Sequence, residues 1–141
     1  MFKRLELIDS LRVGHPVIDA EHGELIDMAN GLIDALQAGD RVGFLGGLPD
    51  FTDRIAEHFN TEIAILRELG FPGTDHHADF HREALVEVRD LETLFATTDE
   101  RLMTPERAHL KITELLIHDF VREDLEFKSF LTEYYRDNPA T

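Results

Sequence analysis

The segment 51–69 reads FTDRIAEHFNTEIAILREL, and its apolar pattern decides the fold class of the chain. Positions on one face recur at alternating steps of four and three residues, which is the spacing of an amphipathic α-helix. That face consists of Phe51, Ile55, His58, Glu62, Ile65 and Leu69. An imidazole and a carboxylate therefore interrupt a face that is otherwise apolar, and both are side-chain types that can bind metal ions.

Three further segments show helical periodicity, and no segment has the strict alternation of a half-buried strand. The first spans 17–38 and stops at Gly39 and Asp40; its stripe is Ile18, His22, Leu25, Leu32 and Leu36. The third follows the break at 70–73, with Thr74 or Asp75 as its cap; its inner stripe is His77, His81, Leu85, Val88 and Phe95. The pattern predicts an all-α bundle.

The ends of two helices carry specific signals. Thr104 supplies a capping hydroxyl, Pro105 fits the first helical position and Glu106 places an acid in the first turn, so the fourth helix starts here and reaches about 135. The second helix has two alternative starts, because glycines precede Phe51. It begins either at Asp40, with a kink at Pro49, or near Pro49 itself.

Composition limits what surrounds these helices. At 141 residues we expect a single domain over 1–141, with a leading segment at 1–16 and a frayed tail at about 136–141. The chain has no cysteine, which excludes disulfides, thiolate metal sites and iron–sulfur clusters. Its net charge of −15 disfavours nucleic acid as a partner. With no signal-peptide pattern and no apolar run near ~20 residues, we expect a cytoplasmic protein without a membrane partner.

Five histidines and two carboxylates form one ordered series along the four helices. Residues four apart are neighbours on a helix, so two pairs of this series can each serve one centre. Single histidines alone are poor evidence, but burying the whole set in a small bundle would destabilise it unless the groups were paired or bound a metal. The predicted metal ligands are His22, His58, Glu62, His77, His81, His118 and Glu123.

In their order and spacing, these motifs resemble the hemerythrin family, specifically the bacterial hemerythrin domains. The resemblance covers nearly the whole chain. It rests on Val13-Gly14, on 18–22 (IDAEH), on 58–62 (HFNTE), on 77–81 (HADFH) and on the segment from His118. It implies an up-down-up-down four-helix bundle with a di-iron site in its core.

The resemblance also implies how the ligands divide. One iron ion would be held by His77, His81 and His118, and the other by His22 and His58. Glu62 and the last carboxylate of the series would bridge the two irons, together with an oxo or hydroxo group. Counting ligands leaves an open position on the iron bound by His22 and His58, where dioxygen would bind reversibly. A protein of this kind carries, stores or senses oxygen and is more a ligand-binding protein than an enzyme.

The fourth motif departs from the family pattern, in which an aspartate follows the histidine by five positions. Here Glu123 occupies that position, and Asp124 follows one residue later. Glu123 keeps the spacing with a longer side chain, whereas Asp124 keeps the side chain but requires a different helical phase or a bulge. We expect Glu123 to be the bridging residue, with Asp124 as the alternative.

Other functions use the same residues. A di-iron protein of this type could instead handle nitric oxide or peroxide or donate iron for repair, or it could report oxygen to a separate partner protein. Zinc is a weaker alternative, because seven ligands exceed the usual four. Three histidines fall outside the series. We expect His15 to be a surface or packing residue, His76 to face solvent and His109 to take no part in the centre.

Overall fold

The computed structural model describes residues 2–99 and 101–139, without the side chains of 118–122. The helices α1 (Pro16–Gln37), α2 (Arg41–Leu69) and α3 (Thr74–Thr97) are continuous. A short 3-10 turn, Asp9–Leu11, precedes them. The fourth helical stretch is composite: α4 (Pro105–Thr113), a π-helical segment (Glu114–Val121), one α-helical turn (Arg122–Asp124), a 3-10 turn (Leu125–Phe127) and α5 (Lys128–Asp137). The described part of the chain has no strand, so the predicted all-α class is confirmed.

Buried apolar side chains form two separate clusters. The small core cluster consists of Val13, Ile18, Leu66, Phe127 and Leu131. The large core cluster consists of Leu25, Ile26, Ala29, Leu32, Leu36, Phe44, Leu48, Phe51, Ile55, Phe59, Ala84, Val88, Phe95, Met103, Ala108, Ile112, Leu115 and Leu116. Both clusters take residues from α1, from α2 and from the fourth stretch, so these elements run through both.

The order of these contacts gives each helix its direction. α1 runs from the small cluster to the large one, from Ile18 to Leu25, and α2 runs back, from Ile55 to Leu66. α3 starts near Phe127 and continues into the large cluster, and the fourth stretch returns to Phe127. α1 contacts α2 and α4, α2 contacts α3, and α3 contacts the π-helical segment. The arrangement is the predicted up-down-up-down bundle.

Capping explains where the helices begin. The Asp40 carboxylate accepts from Gly43 N at 2.9 Å, so α2 starts at the earlier of its two predicted positions and includes Pro49. Thr104 Oγ1 accepts from Arg107 N at 3.3 Å, which confirms the predicted start of the fourth stretch. His15 also caps a helix, because its Nδ1 accepts from Val17 N at 3.2 Å.

The turn between α2 and α3 departs from the prediction. Gly70 has φ of 80°, and the N–H of Phe71 bonds to Leu66 O at 3.0 Å, which is a Schellman ending that favours glycine. Gly73 is then the N-cap of α3, and no side chain caps it. The expectation that Thr74 or Asp75 caps α3 is therefore wrong. Thr74 instead donates its hydroxyl to Phe71 O at 2.6 Å and ties the turn to the helix.

The leading segment is fastened along the bundle by a buried amide. Asn30 donates from Nδ2 to Leu5 O at 2.9 Å and accepts from Leu5 N at 2.6 Å. His109 Nε2 donates to Lys3 O at 2.8 Å, and its ring stacks on Phe2. At the other end of the chain, α5 ends at Asp137, and the last two residues of the predicted tail lie outside the described part. No helix in that part is long and apolar enough to span a membrane.

The large core cluster gives a stability test at the end remote from the polar side chains. Phe95 is 2% exposed and packs edge-on against Phe44, with ring centroids 5.3 Å apart. We expect Phe95→Ala to lower the free energy of unfolding by about 3–5 kcal/mol, since it removes a buried ring and leaves a cavity. Chemical denaturation measures the loss.

Val86 is the matched control, because it lies on the same helix and is 61% exposed. Val86→Ala should change stability by less than about 0.5 kcal/mol. Equal losses in the two variants would contradict the assignment of Phe95 to the core.

Candidate metal centre

A layer of polar side chains lies between the two core clusters. α1 contributes His22, α2 contributes His58 and Glu62, and α3 contributes His77 and His81. Each pair on α2 and α3 is four residues apart, so both members point to the same side of their helix. The fourth stretch contributes Asp124. All six side chains are buried, with exposed fractions of 5% or less.

Glu62 faces the histidines of three helices with its two oxygens. Oε1 lies 2.6 Å from His77 Nε2 and 3.0 Å from His81 Nε2. Oε2 lies 2.9 Å from His58 Nε2 and 3.6 Å from His22 Nε2. The carboxylate thus turns one oxygen to the α3 histidines and the other to the pair on α1 and α2.

The two carboxylate oxygens of Asp124 likewise face different histidines. Oδ1 lies 2.9 Å from His77 Nε2, and Oδ2 lies 2.7 Å from His22 Nε2. Two groups of converging ligand atoms result, and both carboxylates belong to both groups. One group is His22, His58, Glu62 and Asp124, and the other is Glu62, His77, His81 and Asp124.

The expectation that Glu123 supplies the last carboxylate of this cluster is corrected by the structure. Asp124 is 2% exposed and faces the histidines, whereas Glu123 is half-buried and lies beside His76 and Glu126. The reason is the π-helical segment Glu114–Val121, whose wider turns place more residues in each turn than an α-helix does. A residue six positions after His118 then takes the direction that the fifth would have in an α-helix.

His118 lies in this π-helical segment. Its side chain lies outside the described residues, so its role as a ligand stays a prediction. The structure brings together the other five predicted residues, with Asp124 in place of Glu123. It also places His76 at the surface, as predicted, and keeps His15 and His109 out of the cluster.

The carboxylates raise the pKa values of the histidines around them. Burial alone lowers the pKa of His22 and of His77, but hydrogen bonds with Asp124 and Glu62 outweigh it and raise each pKa to about 10. The pKa of His58 is also raised, because hydrogen bonding and attraction to Glu62 exceed the effect of burial. In the metal-free protein these imidazoles hold protons that a metal ion must displace.

The pKa values of Glu62 and Asp124 are shifted in opposite directions. Burial tends to raise the pKa of Glu62, yet the four histidines around its carboxylate bring that pKa well below its ordinary value. Burial raises the pKa of Asp124, and the nearby negative charge of Glu62 raises it further, against the opposing effect of His22 and His77. Glu62 is therefore the ionised partner that holds the layer together.

Atoms without hydrogen bonds show that these residues fit a metal ion. His81 Nε2 and Glu62 Oε2 are buried and make no hydrogen bond of acceptable geometry, although each lies within 3.0 Å of a neighbouring ligand atom. His22 Nε2 and His58 Nε2 lie 3.1 Å apart. Buried polar atoms are nearly always satisfied. A cation between such nitrogens and oxygens would satisfy them together, and it would also compensate the buried carboxylate charge.

Sequence reasoning did not find the partner of His58 outside the cluster. His58 Nδ1 and Glu21 Oε1 are 2.8 Å apart, and Glu21 in turn accepts from Arg54 at 3.2 Å. Arg54 also donates to Glu24 at 2.7 Å. The signal was an acid directly before His22, but its partner lies on another helix, so spacing along the chain does not indicate it.

Aromatic rings shield the side of the cluster formed by α3. Phe59 stacks on His81 with ring centroids 3.9 Å apart, and Phe127 meets His77 edge-on at 5.1 Å. A groove of about 590 Å³ between α2 and α3 reaches the edge of His81 and is rimmed by Arg67, Arg82 and Arg89. The stacked ring of Phe59 also lines this groove.

Several curated proteins similar to this chain are named bacteriohemerythrin. No protein-family model matches the chain. A bacteriohemerythrin of Campylobacter jejuni subsp. jejuni is 23% identical over 131 residues, which span 89% of this chain and 94% of the relative. A bacteriohemerythrin of Pseudomonas aeruginosa is 24% identical over 92 residues, which span 65% of this chain and 60% of the relative. These relatives support the assignment of the chain to the hemerythrin family.

The buried cluster agrees with this assignment. The histidines and carboxylates occupy the core layer of a helical bundle, and their donor set is that of a non-haem iron protein of the hemerythrin type. A second Campylobacter jejuni bacteriohemerythrin is 22% identical over the same share of both chains. Within the hemerythrin pattern, the departure in this chain is the carboxylate of the fourth motif.

The raised histidine pKa values predict how the metal-free protein responds to pH. His22 and His77 have a folded pKa of about 10 against an ordinary value of 6.5, so they stabilise the fold fully below pH 6.5 and lose this contribution as the pH rises through 10. We expect the midpoint of thermal denaturation of the metal-free protein to decrease as the pH is raised from 7 to 10. The metal-loaded protein should lack this fall, because metal-bound imidazoles are already unprotonated; a flat midpoint in the metal-free protein would contradict the assignment.

The two neighbouring carboxylates of the fourth motif can be tested against each other. We expect Asp124→Asn to reduce the metal bound per chain at equilibrium by about half or more, because this carboxylate faces both ligand groups. Glu123→Gln should leave the equilibrium metal content unchanged. Metal analysis after dialysis measures both, and circular dichroism checks that each variant is helical. If Asp124→Asn keeps its metal and Glu123→Gln loses metal, the ligand is Glu123, as the sequence spacing predicts.

Proposed function

We propose that this protein binds two iron ions in the buried layer and reversibly binds dioxygen there. His22 and His58 would hold one iron, and His77, His81 and His118 the other. Glu62 and Asp124 would bridge them, with an oxo or hydroxo group as the third bridge. Dioxygen would occupy the open position on the iron held by His22 and His58.

One observation carries this proposal: each buried carboxylate offers one oxygen to each of two histidine groups. A site for a single ion would direct both carboxylates to one centre. Here Glu62 Oε1 and Oε2, and likewise Asp124 Oδ1 and Oδ2, face different histidines. That division supports two ions held side by side. Similarity to bacteriohemerythrins supports iron as the metal.

Reversible binding needs a centre that exchanges electrons with its ligand without going on to oxidise other groups. Iron, when bound, would supply that electron exchange. The chain supplies a donor set dominated by neutral imidazole, which suits iron. It also supplies a dry surrounding: Ile18 and Leu25 flank His22 on α1, and both are at most 1% exposed. These side chains limit the access of water and protons, which would promote irreversible oxidation, to His22.

Glu21 positions the histidine at the proposed dioxygen side. Because its carboxylate accepts a hydrogen bond from His58 Nδ1 at 2.8 Å, the Nε2 lone pair of a neutral His58 is directed at the cluster. Arg54 holds Glu21 in turn at 3.2 Å. A carboxylate on the outer nitrogen also raises the basicity of the imidazole, which strengthens it as a metal ligand.

Metal analysis combined with visible spectra tests the proposal. We expect two irons per chain and a charge-transfer band that appears when the reduced protein meets air and disappears when oxygen is removed. A single metal ion, a zinc content or spectra insensitive to oxygen would contradict it. A band that bleaches irreversibly in air, or turnover of nitric oxide or peroxide, would favour the enzyme-like alternatives.

A matched pair of variants on α2 ties the result to the carboxylate. Glu62→Gln should abolish the reversible band, because the amide cannot offer a charged oxygen to each histidine group. Glu68→Gln changes an exposed carboxylate on the same helix and should leave the band intact. If both variants cycle normally with oxygen, the band does not arise from the buried layer.

A further inference from the structure

A second cluster of metal-ligand side chains lies outside the buried layer. It consists of His76 on α3, Glu123 and Glu126, and their ligand atoms all lie within 4.8 Å of one another. His76 and Glu126 are exposed and Glu123 is half-buried, so the cluster is open to solvent. We call these three residues the outer cluster.

The π-helical segment that brings Asp124 inward also creates the outer cluster. Because Asp124 takes the inward direction, Glu123 is turned toward the first turn of α3, where His76 lies next to His77. The 3-10 turn Leu125–Phe127 then brings Glu126 to the same side. Three ligands from two separate stretches of chain thus converge at one point.

The two carboxylates of the outer cluster repel each other. The ligand atoms of Glu123 and Glu126 lie within 4.8 Å of each other. Among the described residues, neither carboxylate forms an ion pair with a lysine or arginine. An imidazole and two carboxylates facing one point, without a basic side chain between them, form a donor set that suits a divalent transition-metal ion.

We propose that His76, Glu123 and Glu126 bind a divalent transition-metal ion at the surface, separately from the buried centre. Three protein ligands leave further coordination positions to water, and all three side chains border solvent. Binding here is therefore weaker and exchanges faster than binding in the buried layer.

The position of the outer cluster gives it a role that rests on the proposed function of the buried centre. His76 directly precedes His77 and Glu123 directly precedes Asp124, so two outer ligands are chain neighbours of two buried ones. An iron(II) ion held at the surface is thereby kept near the buried ligands, and the outer cluster speeds the loading of the centre.

Zinc binding to the iron-loaded protein tests the outer site itself. We expect one additional Zn²⁺ per chain by calorimetry, with the iron content unchanged. His76→Gln and Glu126→Gln should each weaken that binding by about tenfold or more, because even losing an outer partner of a metal ligand costs about 10–100-fold. Glu133→Gln, an exposed carboxylate on α5, is the control and should bind Zn²⁺ like the original chain. No additional zinc, or binding that these two variants leave unchanged, would overturn the site.

Iron uptake by the metal-free protein tests the loading role separately. We expect His76→Gln and Glu126→Gln to take up Fe²⁺ several-fold more slowly than the original chain and to reach the same final iron content. Equal uptake rates would overturn the loading role, while the zinc titration still decides the site. If the original chain takes up no iron at all, the proposed function is refuted.

Discussion

Two carboxylates share their oxygens between two groups of histidines in the middle of the bundle, and the rest of the structure depends on this arrangement. Burying an ionised carboxylate is costly unless it is paired. Glu62 meets that requirement with four imidazoles from three helices, at 2.6–3.6 Å. The helices must therefore keep one relative height, because sliding any of them by one turn would leave a buried charge without its partners.

The fourth stretch shows how this requirement overrides regular secondary structure. A continuous α-helix would direct Glu123 inward and Asp124 sideways. The π-helical segment departs from the usual hydrogen-bonding pattern over eight residues, and in return it directs the shorter carboxylate to His22 and His77. The same change of phase turns Glu123 toward His76 at the surface. One local irregularity thus sets the chemistry both inside and outside the bundle.

Most of the fold could be predicted from the sequence because helical periodicity and capping are local signals. The Asp40 and Thr104 caps and the face of 51–69 depend on residues within one or two turns. The choice between Glu123 and Asp124 could not be predicted, since it depends on whether the helix before it is α or π, and that is set by the layer it must reach. The role of Glu21 could not be predicted for a related reason, because its partner His58 lies on another helix.

The division of the core into a large and a small cluster has a consequence for cooperativity. Among the described residues, the small cluster has five buried members and the large cluster has eighteen. The polar layer lies between the small cluster and the large cluster. We expect metal in that layer to couple the two clusters, so that local opening at the small cluster is easier in the metal-free protein than in the metal-loaded one. The ligands lie at the boundary of the small cluster, so opening of that end would expose the metal centre to solvent.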